Sequence, residues 1–160
     1  MQPIATSVRR ATSADAPALA DLINRAYALE AFFVDGDRTH AAEIAELCGR
    51  GVFLVLDRPG GIAAAVYVEP RGYFGMLAVD PNIQGKGLGK RMVRIAEALC
   101  EAAGATRMQL KIINLREELG RWYRSLGYRE VGTEPYEHRT VKRPCHFVWM
   151  ERSLSTAAAA

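Results

Sequence analysis

The sequence predicts a single mixed α/β (α+β) domain built around one central sheet. A chain of 160 residues suits one domain with one sizeable core. Apolar runs typical of strands dominate its first and last parts, with helical periodicities between them. No internal repeat or linker interrupts this pattern. We therefore expect one domain over residues 1–153, followed by a disordered tail, 154–160.

Composition and charge exclude several classes of protein. Hydrophobic residues make up 49% of the chain and charged residues 24%, which is typical of a soluble globular protein. No apolar run approaches the roughly 18 residues that cross a bilayer, and residues 1–10 lack the apolar core of a secretion signal. We expect a cytoplasmic protein with no membrane partner.

The net charge of +3 comes from basic residues dispersed among acidic ones. Nucleic-acid binding usually needs a concentrated basic face, so we expect no nucleic-acid partner. A mild positive excess does suit a protein that handles a phosphate-rich cofactor. The three cysteines are odd in number and far apart, which favours reduced, buried thiols.

In the first half of the chain, helices and strands are punctuated by Gly, Pro and capping signals. Thr12 and Asp15 form a capping box ahead of a helix predicted over 15–29, and a second helical stretch begins at Thr39. Two apolar runs joined by Pro59 and Gly60 predict a hairpin. The predicted strands are 7–11, 52–56, 62–68 and 73–79.

The second half alternates in the same way. A helix is predicted over 87–103, with apolar residues along one side and Gly104 as its stop. A second helix covers 117–125 and ends before Gly127. The predicted strands are 107–113, 128–132 and 146–150.

The clearest indication of a functional site is the segment Gln84-Gly85-Lys86-Gly87-Leu88-Gly89, between a predicted strand and a predicted helix. Alternate glycines let the backbone approach a ligand closely, because no Cβ intervenes. Their N–H groups can converge on an anion, and the positive end of the following helix adds to the attraction. This segment, the glycine loop, predicts a pyrophosphate site.

Two nucleotide-binding patterns fail on spacing. A Walker-type loop needs a hydroxyl residue after its lysine, but Arg91 follows Lys90, and Gln84 stands where the first glycine should be. A dinucleotide fingerprint needs a third glycine at position 90 and lies near the start of a βαβ unit. The chain meets neither requirement.

What remains is Gln-x-x-Gly-x-Gly after the strand end Leu77-Ala78-Val79-Asp80-Pro81, which resembles the acyl-CoA motif of the GCN5-related N-acetyltransferase (GNAT) family. The run 122–128, Trp-Tyr-Arg-Ser-Leu-Gly-Tyr, is similar to a second signature of that family. The likeness extends from Val8 to Arg152.

The resemblance implies a strongly bent, mostly antiparallel sheet whose strands splay apart beside the cofactor. It implies that the backbone of Leu77, Ala78 and Val79 pairs with the pantetheine arm of acetyl-CoA. The expected pyrophosphate ligands are Gln84, Gly85, Lys86, Gly87, Leu88, Gly89 and Lys90. Tyr123 falls where many relatives place a tyrosine near the CoA sulfur, and a phenol with a pKa of about 10 can donate a proton to a departing thiolate.

The sequence departs from the family pattern in two places. Many relatives have an asparagine seven residues before the tyrosine, where this chain has Arg116; we expect Asn114 to reach the pantetheine instead. The strand 73–79 also lacks the carboxylate that many relatives carry there, so we assign no general base. The residues considered for that role are Glu30, Glu69, Glu134, Glu137 and His138.

By this likeness, the protein transfers an acetyl group from acetyl-CoA directly to an unidentified small-molecule or peptide amine in a ternary complex, and a homodimer is possible. A non-catalytic acyl-CoA sensor is the alternative, because the carboxylate is missing.

No metal is expected, since Cys145 and His146 are adjacent and face opposite sides of a strand. Residues 32–35 and 134–145 are expected to wall the acceptor site. There Arg139, Lys142 and Arg143 either favour a carboxylate-bearing substrate or form a solvated charge cluster.

Overall fold

A computed structural model describes residues 7–155 of the chain. Within that range it forms one sheet flanked by helices. The strands are β1 (Arg9–Arg10), β2 (Val52–Arg58), β3 (Gly61–Glu69), β4 (Tyr73–Val79), β5 (Arg107–Ile113), β6 (Arg129–Pro135) and β7 (His146–Ser153). The α-helices are α1 (Ala16–Ala26), α2 (Ala41–Leu47), α3 (Leu88–Ala102) and α4 (Glu117–Ser125).

The described strands form a seven-stranded sheet in the order β1-β2-β3-β4-β5-β7-β6. All neighbouring pairs are antiparallel except β4 and β5, which are parallel. The predicted mixed α+β fold with a mostly antiparallel sheet is therefore confirmed. Within residues 7–155, no helix is both long and apolar enough to cross a membrane.

Helices cover both faces of the sheet. On one face, α1 and α2 pack against alternate residues of β2 and β3, including Phe53, Val55 and Tyr67. On the other face, α3 and α4 pack against the intervening residues, such as Leu54 and Val66. Because β3 is buried on both faces, its sequence is a nearly continuous apolar run.

The sheet splits between β4 and β5. These strands pair only at Tyr73 and Gln109 among the described residues, next to a hydrogen bond from Gln109 N to Gly72 O of 2.8 Å. The approach is so tight that a Cβ on Gly72 would lie 2.3 Å from the carbonyl oxygen of Arg107. Beyond this junction, no strand in the described part of the chain pairs with β4 on its β5 side, so a cleft opens.

A bulge in β4 lies beside the split. Ala65 of β3 faces Ala78, whereas Tyr67 faces Gly75, so β4 carries one extra residue between these pairs. Met76, inside this stretch, has a φ of 49°, a left-handed value that is rare outside glycine. Such backbone strain persists where the surrounding structure enforces it, often at functional sites.

The predicted elements differ from the observed ones mainly at their ends. The helix predicted over 15–29 ends at Ala26, and a 3₁₀ turn follows at Ala28–Phe32. The last two strands are longer than predicted because each has the other as a ladder partner. Of the predicted tail, Leu154 is buried and its N–H donates to the carbonyl of Thr106 at 2.9 Å. Residues 156–160 lie outside the described range.

Candidate active site

A cavity of about 540 Å³ occupies the split between β4 and β5. Residues from both faces of the sheet line it, since the cleft passes between the two strands. Tyr27 and Glu69 lie on the α1 side, whereas Phe74, Leu110 and Tyr123 come from the α3–α4 side. A ligand in this cavity can therefore contact groups from opposite sides of the sheet.

The edge of β4 that faces the cleft supplies unpaired backbone. Leu77 lines the cavity, whereas Ala78 and Val79 continue the strand towards the glycine loop and lie outside the lining. Because β5 has diverged, the edge polar groups of this stretch have no strand partner on that side. An extended chain with amide groups can bind such an edge as an added strand would.

The glycine loop begins at the end of β4, where Asp80 anchors the chain. The Asp80 carboxylate accepts a hydrogen bond from Asn82 N at 3.0 Å and forms ion pairs with Arg25 at 3.2 Å and Arg58 at 3.4 Å. Burial opposes ionisation, but these partners hold the pKa of Asp80 below its ordinary value. The turn that starts the loop is thus fixed from three directions.

Left-handed glycines shape the loop itself. Gly85 has a φ of 86° and Gly87 a φ of 74°, and Gly87 is the N-cap of α3. Gly89 lies in the first turn of that helix, next to Trp122. The first N–H groups of α3 have no acceptor within the helix. Consequently, the N–H groups from Leu88 to Lys90 lie at the positive end of a 15-residue helix without an acceptor inside it.

Tyr123, on α4, is buried between aromatic rings. Its ring centroid lies 4.8 Å from that of Trp122, 5.9 Å from Tyr128 and 6.0 Å from Phe74. Among the described residues, none forms a hydrogen bond with its hydroxyl, although the side chain lines the cavity. Burial, reinforced by Tyr27 and Tyr73, raises the pKa of Tyr123 well above its ordinary value. The phenol therefore stays protonated at neutral pH.

Tyr27 and Tyr73 line the same cavity. Burial raises the pKa of Tyr27 to about 12 and also raises the pKa of Tyr73. In both cases the nearby positive charge of Arg38 opposes the effect. Tyr27, Tyr73 and Tyr123 are thus three of the five tyrosines that line the cavity, a grouping that no local sequence motif reveals.

Arg116, which replaces the family asparagine, is a buried ion-pair partner. Its Nη1 lies 3.0 Å from Oε2 of Glu30, and its Nε donates to Glu118 at 2.5 Å. Nη2 of Arg139 lies 3.5 Å from the other Glu30 oxygen. Burial raises the pKa of Glu30 despite the opposing fields of Arg116, Arg38 and Arg139. Both carboxylate oxygens are therefore engaged within the protein.

Asn114, predicted to reach the pantetheine, lies just beyond β5 and outside the cavity lining. Its Oδ1 accepts a hydrogen bond from His146 N at 2.8 Å. This bond joins the end of β5 to the start of β7. Its side-chain amide nitrogen forms no hydrogen bond with a described residue.

Three of the residues considered as a base line the cavity: Glu30, Glu69 and His138. Glu69 accepts hydrogen bonds from the Tyr67 hydroxyl and from Arg71 Nε, each at 2.8 Å. Glu134 and Glu137 lie outside the lining. The Lys111 ammonium bonds to Glu134 at 2.8 Å and holds the pKa of that carboxyl below its ordinary value.

The two connections predicted to wall the acceptor site are joined to each other. Val34 and Val141 form an antiparallel bridge, and Lys142 N donates to Phe33 O at 2.7 Å. Lys142 Nζ donates to Ala31 O at 2.8 Å, whereas the Arg143 guanidinium lies 5.5 Å from the ring centroid of Phe32. These basic residues therefore fasten segments 31–35 and 140–143 to each other. Neither segment lines the cavity; of the predicted walls, Tyr136, His138 and Arg139 do.

A metal centre finds no support in the described part of the chain, where His, Cys, Asp and Glu form no group of three or more suited to hold an ion. The residues that converge are instead phenols, guanidinium groups and hydrogen-bonded carboxylates. This set is suited to binding anions and transferring protons.

A family model described as an acetyltransferase (GNAT) domain matches residues 49–130, over half of the 160-residue chain. The match includes the glycine loop, the bulged strand and Tyr123. No curated protein sequence matches the chain significantly.

Solved structures share the fold at low sequence identity. YncA, a putative acetyltransferase from Salmonella typhimurium determined with acetyl-CoA, is 20% identical over 95% of each chain, with a TM-score of 0.72. A phosphinothricin acetyltransferase from Sinorhizobium meliloti, in complex with acetyl-CoA, is 19% identical over 95% of this chain and 90% of its own, with a TM-score of 0.72. A ribosomal-protein-alanine N-acetyltransferase from Brucella melitensis is 21% identical over 92% of this chain and 99% of its own, with a TM-score of 0.73.

These structures agree in fold with the domain that the family model identifies from the sequence. Since that match spans over half of the residues and contains both the glycine loop and Tyr123, the chain belongs to the GNAT family of acetyltransferases.

Proposed function

We propose that the protein transfers the acetyl group of acetyl-CoA to the amine of an acceptor by direct attack in a ternary complex. The observation that carries the proposal is the placement of Tyr123. Its protonated hydroxyl, which no described residue binds, lines the cavity that opens beside β4.

Donor binding would use backbone more than side chains. The free edge of β4 at Leu77, Ala78 and Val79 matches the amide-bearing pantetheine arm, which can lie along it as an added strand. The pyrophosphate would bind the amides of the glycine loop and the first turn of α3, since both lie at the positive end of that helix. Asn114 would contact the pantetheine through its side-chain amide nitrogen.

The bulge in β4 offers a second contribution. An extra residue in a ladder leaves backbone groups unpaired, and this one lies beside the cavity, at Met76 and Leu77. An N–H in this position would stabilise the negative charge that develops on the thioester oxygen during attack. Loss of a comparable donor costs about 100- to 1,000-fold in other acyl-transfer enzymes.

In the reaction, the neutral amine attacks the thioester carbon, a C–N bond forms and the C–S bond breaks. The departing sulfur takes the phenolic proton of Tyr123, and the nitrogen loses one proton to water in the cavity. Tyr123 then regains a proton from solvent, so atoms and charges balance. A direct transfer of this kind needs no acyl-enzyme, and no serine or cysteine within residues 7–155 lines the cavity.

The experiment is to incubate purified protein and acetyl-CoA with a panel of amines and to measure CoA release with a thiol reagent. A thermal shift with acetyl-CoA measures donor binding independently. Amine-dependent CoA release, with the acetylated amine detected by mass spectrometry, would support the proposal.

A stabilising shift without turnover of any amine would instead favour a non-catalytic acyl-CoA sensor. The feature behind that alternative is β4, which carries no acidic side chain from Tyr73 to Val79.

A further inference from the structure

Arg38 differs from most other basic residues that line the cavity because it has no ion-pair partner among the described residues. It is partly buried and lines the cavity, and its guanidinium carbon lies 5.5 Å from the ring centroid of Tyr27. Among residues 7–155, no carboxylate lies within ion-pair distance of it, and no described residue accepts its hydrogen bonds. A planar guanidinium stacked on an aromatic ring keeps its edge available for a ligand.

Other basic side chains in the cavity are already engaged. Arg139 contacts Glu30 and the carbonyl of Gly36, and Arg71 pairs with Glu69 at 2.8 Å. Lys111 pairs with Glu134. Arg50 is the other lining arginine without a described carboxylate partner, but it is exposed, so an anion there would remain hydrated.

Of the carboxylates that line the cavity, three have partners other than Arg38. Glu30 is shared by Arg116 and Arg139, Glu43 accepts a hydrogen bond from Thr39 Oγ1, and Glu69 pairs with Arg71. Among the described residues, neither these carboxylates nor Asp37 lies within ion-pair distance of Arg38. Arg38 is therefore left without an ion pair, although the charge of Glu30 acts on it at longer range.

We propose that the acceptor is a small amine that also bears a carboxylate, and that Arg38 binds this carboxylate. The inference rests on the proposed function, whose acceptor it specifies. A carboxylate matches the forked donors of a guanidinium and would supply Arg38 with the partner that it lacks among the described residues. Arg38, Tyr123 and the bulge residues Met76 and Leu77 line the same cavity, so a carboxylate bound at Arg38 shares that space with the proposed acid.

The cavity limits the size of the acceptor. Its volume of about 540 Å³ has to hold the reacting end of the donor together with the acceptor. A compact amino acid fits in such a space, whereas a folded protein would have to insert an extended segment. We therefore commit to an amino-acid-like acceptor.

The test compares amines that differ only in the carboxylate. Phenylalanine is paired with phenethylamine, leucine with isoamylamine and lysine with cadaverine; the remaining common amino acids, β-alanine, polyamines and a peptide are assayed alongside. For the pair turned over best, we expect kcat/KM to be about 10- to 100-fold higher for the carboxylated member, the ratio typical of one charged hydrogen-bonded contact.

Variants then connect the preference to Arg38. Arg38→Gln is expected to remove most of the preference by slowing the carboxylated amine while its decarboxylated partner changes less than about threefold. Arg38→Lys, which keeps the charge but not the fork, should retain part of it. The matched control is Arg129→Gln, which removes an exposed arginine of β6 outside the cavity and should preserve the full ratio.

Each remaining outcome has a defined meaning. Equal losses for both members of a pair in Arg38→Gln would overturn the inference, because they indicate a structural role. Turnover confined to polyamines or to the peptide would overturn it while leaving the proposed function intact. A thermal shift with acetyl-CoA but no acetylation of any amine would overturn the proposed function, and the inference with it.

Discussion

Replacing Tyr123 by phenylalanine removes one hydroxyl and tests the acid role with little structural cost. The ring contacts with Phe74, Trp122 and Tyr128 persist, because phenylalanine has the same ring. No described residue binds the hydroxyl, so its removal leaves no protein group without a partner. We expect the free energy of unfolding to change by less than about 1 kcal/mol.

The expected catalytic loss is much larger. General acid catalysis contributes about 100- to 10,000-fold, so kcat of Tyr123→Phe should fall by at least about 100-fold, equivalent to about 2.7 kcal/mol. Affinity for acetyl-CoA should change less than about threefold, since the donor is held mainly by backbone. The raised pKa of Tyr123 adds a second expectation. The active, protonated phenol persists at high pH, so Tyr123 causes no alkaline fall in rate below about pH 10.

Single-turnover CoA release measures the chemical step, and Tyr128→Phe is the matched control. The Tyr128 hydroxyl donates to buried Glu97 at 2.7 Å, so its loss should destabilise the fold by about 1–3 kcal/mol. Its kcat should stay near the wild-type value at a temperature where the variant is folded. A Tyr123→Phe rate within about threefold of wild type would refute the acid role.

Three further variants test the scaffold. Gly87→Ala forces a side chain into a φ of 74° at the N-cap of α3, so it should cost about 1–2 kcal/mol of stability and weaken acetyl-CoA binding measured by calorimetry. The control is Gly60→Ala, at a φ of 83° in the β2–β3 turn, which should cost similar stability and leave acetyl-CoA binding unchanged. Arg116→Met should lower the free energy of unfolding, measured in urea, by about 3 kcal/mol, because it removes a partner from the buried carboxylate of Glu30. A loss below about 1 kcal/mol would contradict this role of the Arg116–Glu30 ion pair. The hydrogen-bonded guanidinium of Arg9 lowers the pKa of Asp15 from an ordinary 3.8 to about 2, so its stabilisation exists above about pH 4 and disappears as the pH falls towards 2. Asp15→Asn should thus cost about 1 kcal/mol at pH 7, discounted because Arg9 is 41% exposed, and almost nothing at pH 2.

Local signals were enough to predict most of the secondary structure. The strand over 107–113 and the helix over 117–125 have the predicted bounds, because Gly104 and Gly127 mark their limits and each has a clear apolar period. The helix predicted to reach residue 29 ends earlier, since Tyr27 leads into a 3₁₀ turn that brings Glu30 into the interior. Here the tertiary ion pair prevails over the local helical pattern.

The sequence predicts the donor-binding part of the proposed site better than the acceptor-binding part. A pyrophosphate cradle is built from consecutive backbone groups, so the spacing of Gly85 and Gly87 contains most of the information that defines it. The cleft itself depends on where β4 leaves β5, which is a property of the sheet that neither strand encodes alone. The split therefore followed only from the family likeness.

The acceptor side is assembled from residues far apart in the chain. Glu30 and Arg116 are separated by 86 positions, and each alone resembles an ordinary surface charge. The same holds for Arg139 and Lys142, for which the sequence leaves open a carboxylate-bearing substrate or a solvated charge cluster, and whose partners in the structure belong to the protein. A basic side chain is a candidate for binding the substrate only when no group of the protein already pairs with it. Among the partly buried basic residues of the cavity, Arg38 meets this condition. Because Arg38 has no carboxylate partner among the described residues, a carboxylate is the property of the acceptor that the fold indicates most clearly.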